Sequence, residues 1–586
     1  MLFIKKMNSY QEKLIYFYLF LAVIISIFFI PVGHDMIFHI YRIGSIADNL
    51  KWHGIFGFPY RIYTTSYHNF GYGVPLFYGD LFLYIPAIFV CIGIDEWTVY
   101  RLFTGSIFLI AFISMYFSVR MLNIMGYEKE KNHRVSILSA ILYIYSPEFI
   151  ANMWIRAAIG EAIASIFLPI IFCMVYKITI QEDWEEKHIF LLGIGIAGLV
   201  LSHVIMTIII AFFVIIFLLF YFKRLLFQPV RIRALFYGVI FAVGLTAYWS
   251  LPFIEQYIVI RPNTNSNENT YVNNGIKLGC WFIPFDIYKI IQIYLGHSIN
   301  IKWMPSCFGW IFIMLFFLIW KYYDNIKKKK ILLFGIFSFV MMVLITLKPW
   351  NQLVADKLLA YKLQFPWRIL MVVYFLFVVS IAYIVVCINK EILLKKVLMI
   401  VVISSVIPAM LIIGYGVSSV LLGDNKLSDY QTYNPNEADT LYLPLGADWK
   451  EIYKQEGKVI SDQDVEFDTN RSTGYIKISV IENKDFKTIL NVPFLYYKGY
   501  YAKNIDTGRI YSIEKNKQGY LNVMIGHDIG NIVVYYRGTK LQKISSYISL
   551  VSFIGFFLYF IKKKRILIKI KKGIKNGIMY NYHSLL

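Results

Sequence analysis

Asp35, His39 and Arg42 are separated by four and three residues, so a helix over 34–49 puts all three on one face. A carboxylate, an imidazole and a guanidinium so arranged can accept a proton, donate one and hold a phosphate. An amphipathic helix with ordinary wet charges has the same spacing. His34 adds a second imidazole beside Asp35. Asp80 follows the Gly- and Pro-containing aromatic stretch 71–79, which is able to turn it back toward Asp35. A helix cap for the segment that begins at Leu81 is the plainer role for Asp80. Arg156 and Glu161 lie five residues apart, a poor fit to an intrahelical ion pair, so each is expected to find a separate partner in a cavity. His203 sits between two apolar runs, as an orienting group or as part of a helix connection. Arg368 opens an apolar helix after Gln364-Phe365-Pro366-Trp367, where free amides favour an anion. Snorkelling toward headgroups also accounts for its place.

The elements that must hold these residues are written in the composition. Of 586 residues, 58% are apolar and 16% charged, with a mean hydropathy of +0.57. A soluble chain cannot hide that much hydrocarbon, and apolar runs of membrane-crossing length recur. The formal charge of +22 does not point to nucleic acid, because its lysines gather in connectors such as 327–330 and in the tail from Lys562, as the positive-inside rule requires. The five cysteines show no CxxC or metal-ligand spacing. No Gly-rich phosphate loop for a soluble nucleotide sugar appears on the cytoplasmic side.

Spans are expected at 14–32, 98–119, 135–153, 162–180, 188–202, 204–221, 235–253, 305–320, 331–347, 369–388, 396–415 and 545–561. The fold class is thus a polytopic α-helical membrane protein with about twelve crossings and both termini cytoplasmic. The segment 81–94 is short and holds Pro86, so it is expected to be re-entrant or interfacial. A transmembrane domain over 1–415 then carries outer loops 33–97 and 254–304. Region 416–543 alternates short Val-, Ile-, Thr- and Tyr-containing runs, such as 474–480, 488–492, 519–525 and 531–536, with Asp, Asn and Gly turns, and is expected to be an extracytoplasmic β-rich domain. Residues 544–586 make the last span and a basic tail. On this map Asp35, His39, Asp80, Arg156, Glu161, His203 and Arg368 all fall on the outer side.

Gly33-His34-Asp35 with Phe38-His39, the stretch 71–84, Arg156-Ala157-Ala158-Ile159-Gly160-Glu161-Ala162, Leu201-Ser202-His203 and Gln364-Phe365-Pro366-Trp367-Arg368 together resemble the bacterial YfhO-like membrane proteins. Leu441-Tyr442-Leu443-Pro444 and the run 493–500 extend the resemblance over most of the chain. That family is similar to the GT-C glycosyltransferases, which take sugars from polyprenyl phosphates. The resemblance implies a bacterial cell membrane location, a catalytic carboxylate in the first outer loop at Asp35, and an envelope acceptor such as a lipoteichoic-acid-type polymer or glycolipid.

On this reading Asp35, Asp80 and Glu161 form the catalytic group, Asp35 as base and the other two as positioning acids. His34, His39, Arg42, Arg156, His203 and Arg368 bind substrate, and attack at the anomeric carbon inverts it. A divalent cation, Mg or Mn, between Asp35 and Asp80 stays an open alternative, since His34-Asp35 is not a pair of acids. A lipid flippase or transporter, or a non-enzymatic envelope assembly protein, is the rival reading.

Overall fold

The computed structural model describes residues 10–28, 33, 35–122, 129–260, 268–282, 308–323, 330–358, 360–386, 400, 402–414, 440–454, 457–485 and 487–575. His34 lies outside these residues, as do parts of the outer loop 254–304 and the N-terminal part of region 416–543.

The helices are α1 (Tyr10–Phe28), α2 (Met36–His53), α3 (Tyr84–Cys91), α4 (Glu96–Leu122), α5 (Lys129–Ile144), α6 (Pro147–Trp154), α7 (Ile159–Ile180), α8 (Glu186–Ser202), α9 (Val204–Phe220), α10 (Pro229–Ile260), α11 (Ile311–Tyr322), α12 (Lys330–Leu344), α13 (Lys348–Leu358), α14 (Leu370–Val386), α15 (Val402–Gly414) and α16 (Lys540–Lys575). Among the described residues five helices are long and apolar enough to cross a membrane, or seven if two bent pairs each count as one span. The remaining apolar helices are shorter than that measure.

Two expected elements differ in shape. The span expected at 135–153 breaks between α5 and α6 with a 44° bend. Pro147 cannot continue the ladder there, and the Ser146 hydroxyl accepts from the amide of Phe149 to start α6 afresh. After α12 the chain turns by 93° into α13, where a loop was expected. Pro349 stands in the first turn of that helix, a position at which its missing N–H costs nothing.

Helices α7 and α14 are buried along most of their length, whereas α16 is covered mainly along α10. Helix α2 is amphipathic, burying Met36, Ile40, Ile43 and Ile46 together with His39 and Arg42. Short helix α3 packs on α2 and leaves Ile85, Ile88 and Phe89 exposed, as an interfacial segment would.

The C-terminal domain is an eight-stranded antiparallel sheet of β1 (Ile460–Ser461), β2 (Val465–Ser472), β3 (Tyr475–Asn483), β4 (Thr488–Leu495), β5 (Tyr500–Asn504), β6 (Ile510–Lys515), β7 (Tyr520–Gly526) and β8 (Gly530–Tyr536). Its order is β1-β4-β7-β6-β5-β8-β3-β2. Ile476, Ile478, Ile532 and Val534 from one half meet Leu490, Val492, Leu521 and Val523 from the other, so the sheet curls around one core. Alternate residues of β3, β5 and β8 point the other way.

This domain is fastened to the first outer loop. The Leu495 amide donates to Phe70 O at 3.0 Å, and Arg471 donates to His68 O at 3.1 Å. The Tyr497 ring lies so close to Gly73 that a Cβ there would sit 2.6 Å from it. Tyr497 also donates to Tyr442 O at 3.0 Å. Gln256, near the end of α10, exchanges hydrogen bonds with the Lys498 backbone at 2.6 and 3.1 Å.

Candidate active site

Gly33 and Ala157 bring the two halves of the site together. A Cβ on Gly33 would meet Ala157 N and the Arg156 carbonyl carbon at 2.7 Å, so only glycine allows the backbones to approach this closely. The Asp35 amide then donates to Arg156 O at 2.8 Å. Asp35 ends up as the residue before α2, with its side chain exposed and making no hydrogen bond that caps the helix. Its charge acts on Arg156, Tyr78 and Tyr100.

Ala157 has φ of +51°, a left-handed conformation that side-chain-bearing residues seldom take. The turn it makes between α6 and α7 folds Arg156 back over the first turn of α7. Arg156 therefore reaches Glu161 with two parallel bonds, at 2.8 and 2.5 Å, and Asn152 at 2.7 Å. The expectation of separate partners for Arg156 and Glu161 assumed a continuous helix, and the left-handed turn removes that premise.

Arg368 arrives from a distant segment. Its Nε donates to Glu161 Oε1 at 2.8 Å, while Nη1 holds Leu363 O at 2.8 Å and the Gln364 side chain at 2.6 Å. Gln364 is itself left-handed, with φ of +68°, which curls the chain so that both anchors face the guanidinium. Arg368 Nη2 takes no part in these bonds. Arg156, Glu161 and Arg368 are each at least nine-tenths buried. Two guanidinium groups thus share one bonded carboxylate, with the charges of Glu148 and Asp35 also acting on Arg156, and Arg368 Nη2 remains the donor best placed to meet an anion. The His203 Nε2 stands 3.9 Å from Glu161, and its Nδ1 accepts from Met206 N at 3.2 Å to cap α9.

Tyr78 links this cluster to a second one. Its ring lies edge-on to His203 at 5.6 Å and receives the Arg42 guanidinium on its face at 4.1 Å. Its hydroxyl occupies the space over Gly160 that any Cβ would fill. Arg42 donates to Gly79 O at 2.8 Å, and Gly79 in turn presses against the Leu201 backbone. Asp80 lies beside this group with the Tyr63 hydroxyl 3.5 Å away, and Arg42 and Arg61 both act on its charge. Burial pushes the Asp80 carboxyl up to about 6, partly offset by those two guanidinium groups. His39 Nδ1 and Arg42 Nε are buried without a hydrogen-bond partner among the described residues. Both residues line a cavity of about 10 Å³, with Gly160 and Ser202 among the other walls. That is room for about one water molecule.

The expected site residues thus fall into two groups. Arg156, His203 and Arg368 gather around Glu161 with Asp35 beside Arg156, and His39, Arg42 and Asp80 form a second, buried group. Tyr78, Tyr63, Asn152 and Gln364 were not singled out from the sequence. Tyr78 lay inside the quoted 71–84 stretch, but nothing in spacing alone separates it from the aromatic residues around it. As to a metal, no group of three or more His, Cys, Asp and Glu side chains converges among the described residues. Asp80 has two guanidinium groups for neighbours, an unfavourable place for a further cation.

No protein-family profile matches the chain, and no curated protein matches it. Among solved structures it is similar to the cryo-EM structure of the arabinofuranosyltransferase AftD from Mycobacteria, at 11% identity and a TM-score of 0.37. The match covers 69% of this chain and 27% of that one. A likeness at that level carries no argument for activity, which rests on the site itself.

Proposed function

We propose that the protein is a membrane glycosyltransferase that moves a sugar from a polyprenyl-phosphate donor to an acceptor at the cell envelope. The observation that carries this reading is an exposed carboxylate, Asp35, tied through its backbone to Arg156, one of two buried guanidinium groups that share Glu161. Glycosyl transfer from a lipid phosphate needs those two things side by side. The resemblance of the same residues to the YfhO-like group points the same way.

In this mechanism the donor phosphate binds beside Arg368 Nη2 and the outer edge of Arg156. An acceptor hydroxyl gives its proton to Asp35 as its oxygen attacks the anomeric carbon from the face opposite the phosphate. The bond from that carbon to the phosphate oxygen breaks, and the electron pair leaves with the phosphate. Arg156 and Arg368 stabilise the growing charge, and the sugar is inverted. The leaving phosphate is a stable anion, so no acid is required. Glu161 acts as the counter-ion that fixes both guanidinium groups, and Arg42, held by the Gly79 carbonyl and favoured by the charge of Asp80, supports the Tyr78 wall.

The test is transfer of labelled sugar from a panel of polyprenyl-phosphate donors to envelope acceptors by purified full-length protein. Transfer with inverted anomeric configuration supports the reading. Tight donor binding with no transfer, or movement of intact donor between leaflets, overturns it in favour of a flippase or assembly protein.

A further inference from the structure

The outward face of the β domain carries a row of three aromatic side chains that the catalytic reading does not use. Tyr501 pairs with Tyr535, and Tyr535 pairs with Tyr475, across adjacent strands β5, β8 and β3. Their neighbours Ile476, Ala502 and Val534 are buried on the other face, so the three rings project away from the core. Tyr501 and Tyr535 meet edge-on at 5.8 Å, and the Arg537 guanidinium lies 4.9 Å from the Tyr501 ring centre. Tyr475 is 37% exposed. On the next rung of the same face, Lys477 and Lys503 flank Val533.

Charge is distributed unequally along these strands. Lys477, Lys503 and Arg537 have no carboxylate partner among the described residues, whereas Lys484 and Arg509 at the opposite end are paired with Glu482 and Asp528. Glu466 and Asp506 are also at that far end and exposed, while Asp468 lies at mid-strand opposite Ser479.

The basic, aromatic end is the one at the membrane. Arg537 is three residues ahead of the apolar helix α16, and Thr539 donates to Glu255 of α10 at 2.7 Å. Gly474, next to Tyr475, lies 3.6 Å by its Cβ position from the His53 ring. His53 ends α2, where Trp52 is 63% exposed and Phe56 of the following turn is 99% exposed. Tyrosine and tryptophan with unpaired basic residues at the foot of a domain form the composition of a headgroup-level belt.

We propose that the β domain rests on the outer leaflet through Tyr475, Tyr501 and Tyr535, with Lys477, Lys503 and Arg537 binding the phosphates of anionic phospholipids. Continuity with α16 and the acidic far end favour a lipid surface over an anionic polymer as the occupant. The proposal is independent of the catalytic assignment. It makes the domain a device that fixes the height of the first outer loop above the bilayer.

The experiment places a photoreactive benzoylphenylalanine at position 501 or, as a control, at 484 in full-length protein. The protein is reconstituted into discs of phosphatidylglycerol and phosphatidylcholine, and the lipid adducts are weighed. Position 501 is expected to form adducts with phosphatidylglycerol in excess over its bulk share, and position 484 none. Each basic residue near an anionic surface is worth about fivefold in local lipid preference. K477Q/K503Q/R537Q, which changes only surface side chains, is therefore expected to return the adduct ratio to bulk while eluting as a monodisperse protein. A bulk ratio in the wild type overturns the phosphate contact. Adducts to an added anionic envelope polymer, with none to lipid, overturn the lipid surface and make the face a polymer site.

Discussion

Glu161→Gln keeps the size of the side chain and removes the carboxylate that is ion-paired with both Arg156 and Arg368. Glu161 is 1% exposed, and the guanidinium groups it holds are 5% and 6% exposed, so water cannot replace it. Removing one partner of a buried ion pair typically costs about 3–5 kcal/mol, because the remaining charge stays desolvated and unpaired. Here two cations lose their partner at once, so the upper part of that range is expected. Against a total stability on the order of 5–15 kcal/mol this is a large loss, readable as a fall of several degrees in thermal midpoint of the detergent-purified protein. The double variant Glu161→Gln with Arg368→Gln leaves one fewer unpaired cation. Its midpoint is expected to fall by less than the sum of the single effects, with a coupling of about 1–3 kcal/mol. An unshifted midpoint in Glu161→Gln, or strict additivity in the double variant, would refute a shared buried counter-ion.

Three further outcomes follow from the geometry. The Asp80 carboxyl is raised above its ordinary value to about 6, so the folded chain holds that proton more tightly than the unfolded chain. Its contribution favours folding below about pH 4 and is lost as pH rises through about 6, by roughly 3 kcal/mol. Asp80→Asn is expected to flatten the stability profile between those limits, and an unchanged slope would contradict the assignment. A Cβ on Gly79 would lie 2.2 Å from Leu201 O, a backbone atom, so Gly79→Ala must push the Asp80 loop away from α8. A poorly folded or inactive product is expected, and full activity with an unshifted midpoint would count against the contact. Tyr497→Ala empties a fully buried aromatic site between the β domain and Gly73, at about 3–5 kcal/mol. Faster proteolytic cleavage between residues 58 and 78 is expected, and unaltered cleavage would show that the domain does not brace that loop.

Much of the helical layer was legible because apolar length is a strong signal, and α4, α7, α10, α14 and α16 run where long runs of hydrocarbon predicted. The strands β3, β4, β7 and β8 were legible because their inward residues are Val, Ile and Leu. β2 was not, since Val465–Ser472 carries mostly charged and hydroxyl side chains and lies at an edge with one neighbour. β5 and β6 are short and interrupted by the turn 505–509. In the site, the residue types were readable but their partners were not. The ion pair of Arg156 with Glu161 depends on one left-handed residue, Ala157, and alanine gives no sequence signal for that conformation. Contacts of Arg368 with Glu161, 207 positions apart, are set by helix packing that no local pattern encodes. Tyr78 was hidden in a stretch rich in aromatic residues.

The role of Asp35 is tested most directly by single-turnover transfer from donor already bound to the protein, wild type beside Asp35→Asn. Asp35 acts on the charge of Arg156 from an exposed position, while Arg156 and Arg368 keep Glu161 as their bonded partner in the Asn variant, so donor binding is expected to be largely kept. The rate of sugar transfer is expected to fall by about a thousandfold, the usual worth of a general base. Transfer at the wild-type rate in the folded Asn variant would contradict Asp35 as base, and bound donor with no transfer in the wild type would contradict the glycosyltransferase itself.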